Sequence, residues 1–158
     1  MRTVRLRLHV PNQSASDVYA ALADFERYPV LCEAVQEVAV TEVAQNRTVS
    51  RWEVTFRAGL LRWTEEDTFE PGALTITFRQ LDGDIPVFDG SWQCVDAMPG
   101  SEVLFSARLD MGIPSLADAL EPIAARTLTD NIVSIVRGLV GGAELVESGI
   151  AVPAGSAS

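Results

Sequence analysis

The 158-residue chain predicts an α+β fold: a seven-stranded, curved antiparallel sheet wrapped around a long C-terminal helix, with two short helices after the first strand. Three observations carry that expectation. Leu116–Val140 repeats apolar residues at three- and four-residue intervals, the period of one helix face. Most of the chain before it alternates apolar and polar residues in short runs separated by Pro, Gly or Asn, the pattern of antiparallel strands. A helix of roughly 20 residues is also about 30 Å long, and an apolar stripe of that length needs a surface as wide as a sheet.

Thr3–Val10 puts Val4, Leu6, Leu8 and Val10 on one face and Arg5, Arg7 and His9 on the other, a strand with one wet side. The lone histidine therefore points outward and is a poor catalytic candidate. After the turn Pro11-Asn12-Gln13, Ser14 with Asp17 caps a short helix through Leu22, with Val18, Ala21 and Leu22 as its inner face. Asp24 caps a second, Phe25–Tyr28, which Pro29 ends. Val35–Val43 and Thr48–Phe56 form a hairpin around Gln45-Asn46. Leu60–Glu70, Leu74–Leu81, Val87–Asp96 and Val103–Met111 continue it as a meander, set off by Gly59, Pro71-Gly72, Gly83 with Pro86, and Pro99-Gly100.

The long helix starts behind Pro114, with Ser115 and Asp118 as a capping box. Its inner stripe is Leu120, Ile123, Ala124, Thr127, Leu128, Asn131, Ile132, Ile135, Val136 and Leu139; Glu121, Arg126, Asp130 and Arg137 form the wet face. Pro122 removes a helical hydrogen bond, so a kink or restart is expected beside it. Residues 1–148 make one domain, and 149–158, small residues for the most part, make a flexible tail.

Composition excludes several classes. No apolar run approaches a membrane span, and the first eleven residues lack an apolar signal core, so a cytoplasmic protein is expected. Two cysteines, Cys32 and Cys94, are too few for a disulfide scaffold or a zinc site and read as buried, reduced thiols. The net charge of −10 disfavours a nucleic-acid partner. The charge is uneven: every basic residue is arginine, with eight against seven acids up to Arg62 and four against fifteen beyond it. The arginine-rich part, with Arg5, Arg7, Arg51 and Arg57, suits an acidic partner such as a carrier protein, or only scattered surface ion pairs. No metal cluster, phosphate loop or nucleophile triad stands in the sequence, so no cofactor is expected.

A curved sheet and one long helix leave a cavity between them, and strand parity names its lining. Leu61, Trp63 and Phe69 point inward, which carries Glu65 and Asp67 inside with them. Phe78 takes Gln80 along; Phe88, Gly90, Trp92 and Cys94 share a face; the helix adds Thr127 and Asn131. Two inward carboxylates are expensive unless paired, and close acids share a proton, a recurrent source of acid–base groups. An arginine partner or a wet cavity rim serves such acids equally well.

Three stretches carry a resemblance: Ala23-Asp24-Phe25-Glu26-Arg27-Tyr28-Pro29, Arg62-Trp63-Thr64-Glu65-Glu66-Asp67 and Phe88-Asp89-Gly90-Ser91-Trp92. With the element order they resemble the helix-grip fold of the START-like (SRPBCC) superfamily, in its polyketide cyclase/dehydrase and coenzyme-Q-binding branch. The resemblance implies an apolar ligand cavity and, for the aromatase/cyclases, ring closure and dehydration of a carrier-bound polycarbonyl chain in antibiotic or pigment biosynthesis. The arginine that branch carries on the matching strand is replaced by Asp67. Glu65 and Asp67 are then the candidate acid–base pair, with Tyr28 at the cavity mouth. Gln80 and Asn131 are expected to bond carbonyl oxygens, and Trp63, Phe69, Phe78, Phe88, Trp92 and Thr127 to complete the binding wall. The alternatives are a non-catalytic carrier of a quinone or lipid and a partner-binding protein with a filled interior; each would act as a monomer or homodimer.

Overall fold

The strands order themselves into one eight-stranded antiparallel sheet in a computed structural model that describes residues 1–112 and 114–151, without the side chains of 114–119 and 151. The elements are β1 (Arg2–Val10), α1 (Ala15–Leu22), a 3-10 turn (Phe25–Arg27), α2 (Tyr28–Leu31), β2 (Val35–Ala44), β3 (Arg47–Phe56), β4 (Gly59–Glu70), a second 3-10 turn (Pro71–Ala73), β5 (Thr75–Gly83), β6 (Val87–Asp96), β7 (Ser101–Asp110), α3 (Pro114–Val140) and β8 (Glu144–Ala151). The sheet order is β2-β3-β4-β5-β6-β7-β1-β8, so the meander from β2 to β7 closes back onto the first strand. Its tight turns use the residues that tolerate them: Asn46, between β2 and β3, sits at φ 57°.

Helix α3 lies against β1, β7, α1 and α2. Beneath it Val4, Leu6, Leu8 and Val10 face Val103, Phe105, Ala107 and Leu109 from the neighbouring strand, all buried, with Val18 and Leu22 from α1 and Ile132, Ile135 and Val136 from α3. Gly90 in β6 is a packing requirement: a Cβ there would stand 2.7 Å from Phe78 Cζ and closer still to the Ser106 carbonyl.

Four expectations are corrected. The sheet has eight strands, not seven, because β8 pairs with β1 and takes Gly149–Ala151 out of the expected tail; residues 152–158 lie outside the described residues. From Glu144 to Ile150 every residue of β8 is exposed, so an edge strand held by backbone bonding carries no alternation to betray it. Pro29 does not end the second helix but stands in the first turn of α2, where its missing N–H removes no helical bond. On α3, Glu121 is buried and Ile123 is exposed, the reverse of the expected stripe. The Glu121 carboxylate accepts from the Met111 N–H at 3.0 Å and from the Met1 amine at 2.8 Å, partners that make its burial tolerable. The helix runs through Pro122 without a restart, and the Ser115–Asp118 cap lies outside the described side chains.

Candidate functional site

The inward parity of β4 puts both acids inside: Asp67 is 0% and Glu65 4% exposed. The carboxylates answer to β3, whose own inward residues are Thr48, Ser50, Trp52 and Val54. Asp67 Oδ2 accepts from Ser50 Oγ at 2.6 Å and from Thr48 Oγ1 at 2.9 Å, while Trp52 Nε1 donates to Ser50 Oγ at 2.8 Å. Glu65 Oε1 accepts from Trp63 Nε1 at 2.8 Å. Across β5, Glu65 stands opposite Gln80 just where a bulge leaves Leu81 out of the ladder. Among the described residues no arginine pairs with either acid, and neither lies at a wet rim, so both bland placements are excluded.

Burial is the largest reason that Glu65 holds its proton well above the usual carboxylate range; a hydrogen bond with Asp67 and the negative charge there push the same way, and the Trp63 N–H opposes them. Asp67 Oδ1 is buried with no N–H or hydroxyl partner, and a proton on Glu65 is what the pair needs to be satisfied. The two acids therefore form one pair, with the proton on Glu65.

The inner face holds two small apolar voids that share a wall of Val54, Trp63, Phe88, Leu128 and Asn131. The larger, about 80 Å³, is also lined by Phe25, Tyr28, Trp52, Glu65, Phe78, Trp92 and Phe105 among others. The smaller, about 60 Å³, lies toward the β3–β4 turn, among Phe56, Leu61, Ile85, Met111, Ala124 and Thr127. The rings interlock around the shared wall: Trp63 stacks on Trp52 at 5.8 Å and 1°, and Phe88 meets Trp63 edge-on at 5.4 Å.

Of the expected binding wall, Trp63, Phe88 and Asn131 line both voids, Phe78 and Trp92 the larger, and Thr127 the smaller. Two residues do not join them. Phe69 packs behind the site against Phe25, ring centroids 5.7 Å apart, and Gln80 turns its amide to the Ile85 carbonyl. Tyr28 lines the larger void but does not stand at a mouth: it is 2% exposed, and its hydroxyl donates to the Leu22 carbonyl at 2.6 Å. Burial, then the nearby acids, pushes that phenol well above its usual range, so its proton is committed to structure. Asn131 Oδ1 accepts from the Cys32 thiol at 3.8 Å, which leaves its N–H groups for the voids. Cys94 is a buried free thiol whose desolvation lifts it to about 12, an inert packing group at neutral pH.

Sequence reasoning missed Thr48, Ser50 and Trp52; their signal is the β3 parity, which places two hydroxyls and an indole N–H in line with the acids of the next strand. It also grouped Arg5 and Arg7 with Arg51 and Arg57. Arg5 and Arg7 lie on β1, Arg51 on β3 and Arg57 at the β3–β4 turn; four strands separate β1 from β3, about 24 Å along the sheet, so the four make no common patch. No helix of the described residues is long and apolar enough to cross a membrane.

Residues 12–135 match the family described as polyketide cyclase / dehydrase and lipid transport. The actinorhodin polyketide synthase bifunctional cyclase/dehydratase of Streptomyces coelicolor is 29% identical over 131 residues, 78% of this chain; the chain spans only 40% of that relative's length. Among solved structures, the TTHA0849 protein of Thermus thermophilus superposes with a TM-score of 0.79 at 24% identity, over 88% of this chain and 94% of that one. The Zhui aromatase/cyclase of a Streptomyces species, strain R1128, does so with a TM-score of 0.74 at 16% identity, over 88% and 92%. Identities this low show the fold alone, whereas the family match spans most of the chain. On that match the chain belongs to the polyketide cyclase/dehydrase and lipid transport family of the START-like helix-grip superfamily.

Proposed function

We propose that this chain is a polyketide cyclase/dehydratase in which Glu65 is the acid–base group. The observation that carries the reading is a buried carboxyl, kept protonated by its surroundings, on the wall of an otherwise apolar interior. In ring closure the Glu65 proton passes to the oxygen of the attacked carbonyl as the enol carbon bonds to that carbonyl's carbon, and the carboxylate takes the proton that the enol hydroxyl releases. In dehydration it passes to the departing hydroxyl, which leaves as water, and the carboxylate then takes the α-proton and is restored. Asn131 offers its N–H groups to a second carbonyl oxygen, and Asp67 positions Glu65 rather than touching substrate, since it lines neither void. The cyclase/dehydratase activity of the Streptomyces coelicolor relative supports the same chemistry.

The voids set a condition on this reading. At about 80 and about 60 Å³ each is far below the roughly 300 Å³ at which small-molecule pockets begin. Trp63, Phe88 and Asn131 stand between them, so an intermediate binds by parting those side chains and joining the two spaces. The test is turnover of a synthetic poly-β-ketone thioester. Glu65→Gln is expected to lower formation of the cyclised product by about 100-fold or more while the thioester still binds. Full activity in that variant would overturn the assignment. The second reading, a carrier of a quinone or lipid, is favoured by a lining whose polar groups are few; under it the wild-type protein binds the thioester and releases it unchanged.

A further inference from the structure

The hydroxyls that hold Asp67 have no part in the chemistry above, yet both donate to one oxygen of a fully buried carboxylate. Thr48 and Ser50 both donate to Oδ2, and Ser50 in turn receives the Trp52 indole N–H. The Ser50 branch ends there, because an indole N–H does not exchange a proton on the time scale of acid–base chemistry; Ser50 orients the carboxylate. The Thr48 branch does not end. Asp67 and Ser50 are 0% exposed, whereas Thr48 is only part-buried, one residue past the start of β3 and beside the β2–β3 turn. The smaller void lies at the other end of the same strand, where Thr55 and Phe56 line it. At about 3.3 Å per residue, Thr48 and Phe56 are roughly 26 Å apart.

We propose that Thr48 and Asp67 form a proton path between solvent at the β2–β3 turn and Glu65, separate from the way a ligand enters. Resting on the reading of Glu65 as the acid–base group, the path returns Glu65 to its protonated form whenever it stands ionised with a bound molecule filling the voids and keeping water out. The balance is simple. Hydronium or a buffer acid gives a proton to Thr48 Oγ1 and leaves its conjugate base in solvent, as the Thr48 hydroxyl proton moves to Asp67 Oδ2 and the pair of Asp67 and Glu65 gains the proton an ionised Glu65 lacks. No other bond changes. The groups facing the couple from elsewhere do not compete: Tyr28 on α2 has its proton on the Leu22 carbonyl, the Cys94 thiol on β6 stays protonated at neutral pH, β5 presents the amide of Gln80, and α3 presents Leu128, Asn131 and Ile132, none of which titrates.

The test needs no substrate. In full-length protein carrying ¹³C at glutamate side-chain carboxyls, the Glu65 signal is assigned by its loss in Glu65→Gln and followed through its titration. Wild type is expected to show one averaged signal at the midpoint. Thr48→Val, which keeps shape and removes the hydroxyl, is expected to slow proton exchange by about tenfold or more, splitting or broadening the signal. Thr48→Ser is expected to restore averaging. Unchanged averaging in Thr48→Val, a Thr48→Ser as slow as Thr48→Val, or a wild type already in slow exchange each overturns the path. A wild type that averages normally but yields no cyclised product removes the cyclase reading instead and leaves the path standing.

Discussion

The two halves of the sheet bury their inner faces differently. On β1 and β7 every buried inward side chain from Val4 to Val10 and from Val103 to Leu109 is apolar. On β3 and β4 the same parity buries Ser50, Glu65 and Asp67 beside Trp52 and Trp63. Burial without partners would be prohibitive for that second set, and the structure supplies a donor for nearly every acceptor at the expense of hydroxyls and indole N–H groups that a stability-driven core would not hold. One half secures the fold, and the other carries a polar couple that the fold does not need. If that division is real, the halves must fail in different ways when altered.

The largest effect is expected in the apolar half. Leu8 is fully buried and lines neither void. Leu8→Ala is expected to lose about 2–5 kcal/mol of unfolding free energy, read from urea denaturation, because the site is packed on every side. Activity per folded molecule is expected to hold. A loss below about 1 kcal/mol, on the same scale of core truncations, would mean that this half is not the stabilising one.

The polar half is expected to answer to pH instead. Glu65 binds its proton more tightly folded than unfolded, so the contribution it makes is present at low pH and declines as pH rises from the ordinary 4.5 through its raised folded value. The slope reaches at most about 1.4 kcal/mol per pH unit for one group. Subtracting the Glu65→Gln profile from that of wild type isolates it from the exposed carboxylates. Asp67→Asn removes two of the causes that raise Glu65, the hydrogen bond and the negative neighbour, though not burial, which is the first. The window of decline is then expected to end at a lower pH. A difference profile that rises with pH across the window would contradict a protonated Glu65.

The same division marks what the sequence could disclose. The inward placement of Glu65 and Asp67 was legible because Leu61, Trp63 and Phe69 set the β4 parity, and a period of two leaves no freedom once three large residues agree. The long helix and the six-strand meander were legible for similar reasons. β8 was not, since an exposed edge strand has no buried face to impose a pattern. Parity also places a side chain on a face without saying where its end goes: Gln80 and Phe69 have the expected parity, yet one amide meets a carbonyl and one ring packs behind the site. The size of the interior space depends on how Trp63 and Phe88 interlock, which is a property of tertiary packing with no local signature.

The smallest effect is expected where β8 joins the apolar half from outside. Arg7 on β1 reaches Glu102 on β7 and Glu147 on β8, both at 3.1 Å, and so ties three strands across the outer face. Its side chain is 38% exposed and that of Glu147 70%, so water screens the attraction and the freed side chains regain rotamers when it is lost. Arg7→Ala is expected to change global stability by less than about 1 kcal/mol, and by less again at high salt. Local opening should respond more than the whole: amide hydrogen exchange in β8 is expected to quicken while that of β1 and β7 stays at the global rate. Equal acceleration in all three strands would make β8 part of the same cooperative unit as the apolar core, and the boundary of the stabilising half would then move outward to include it.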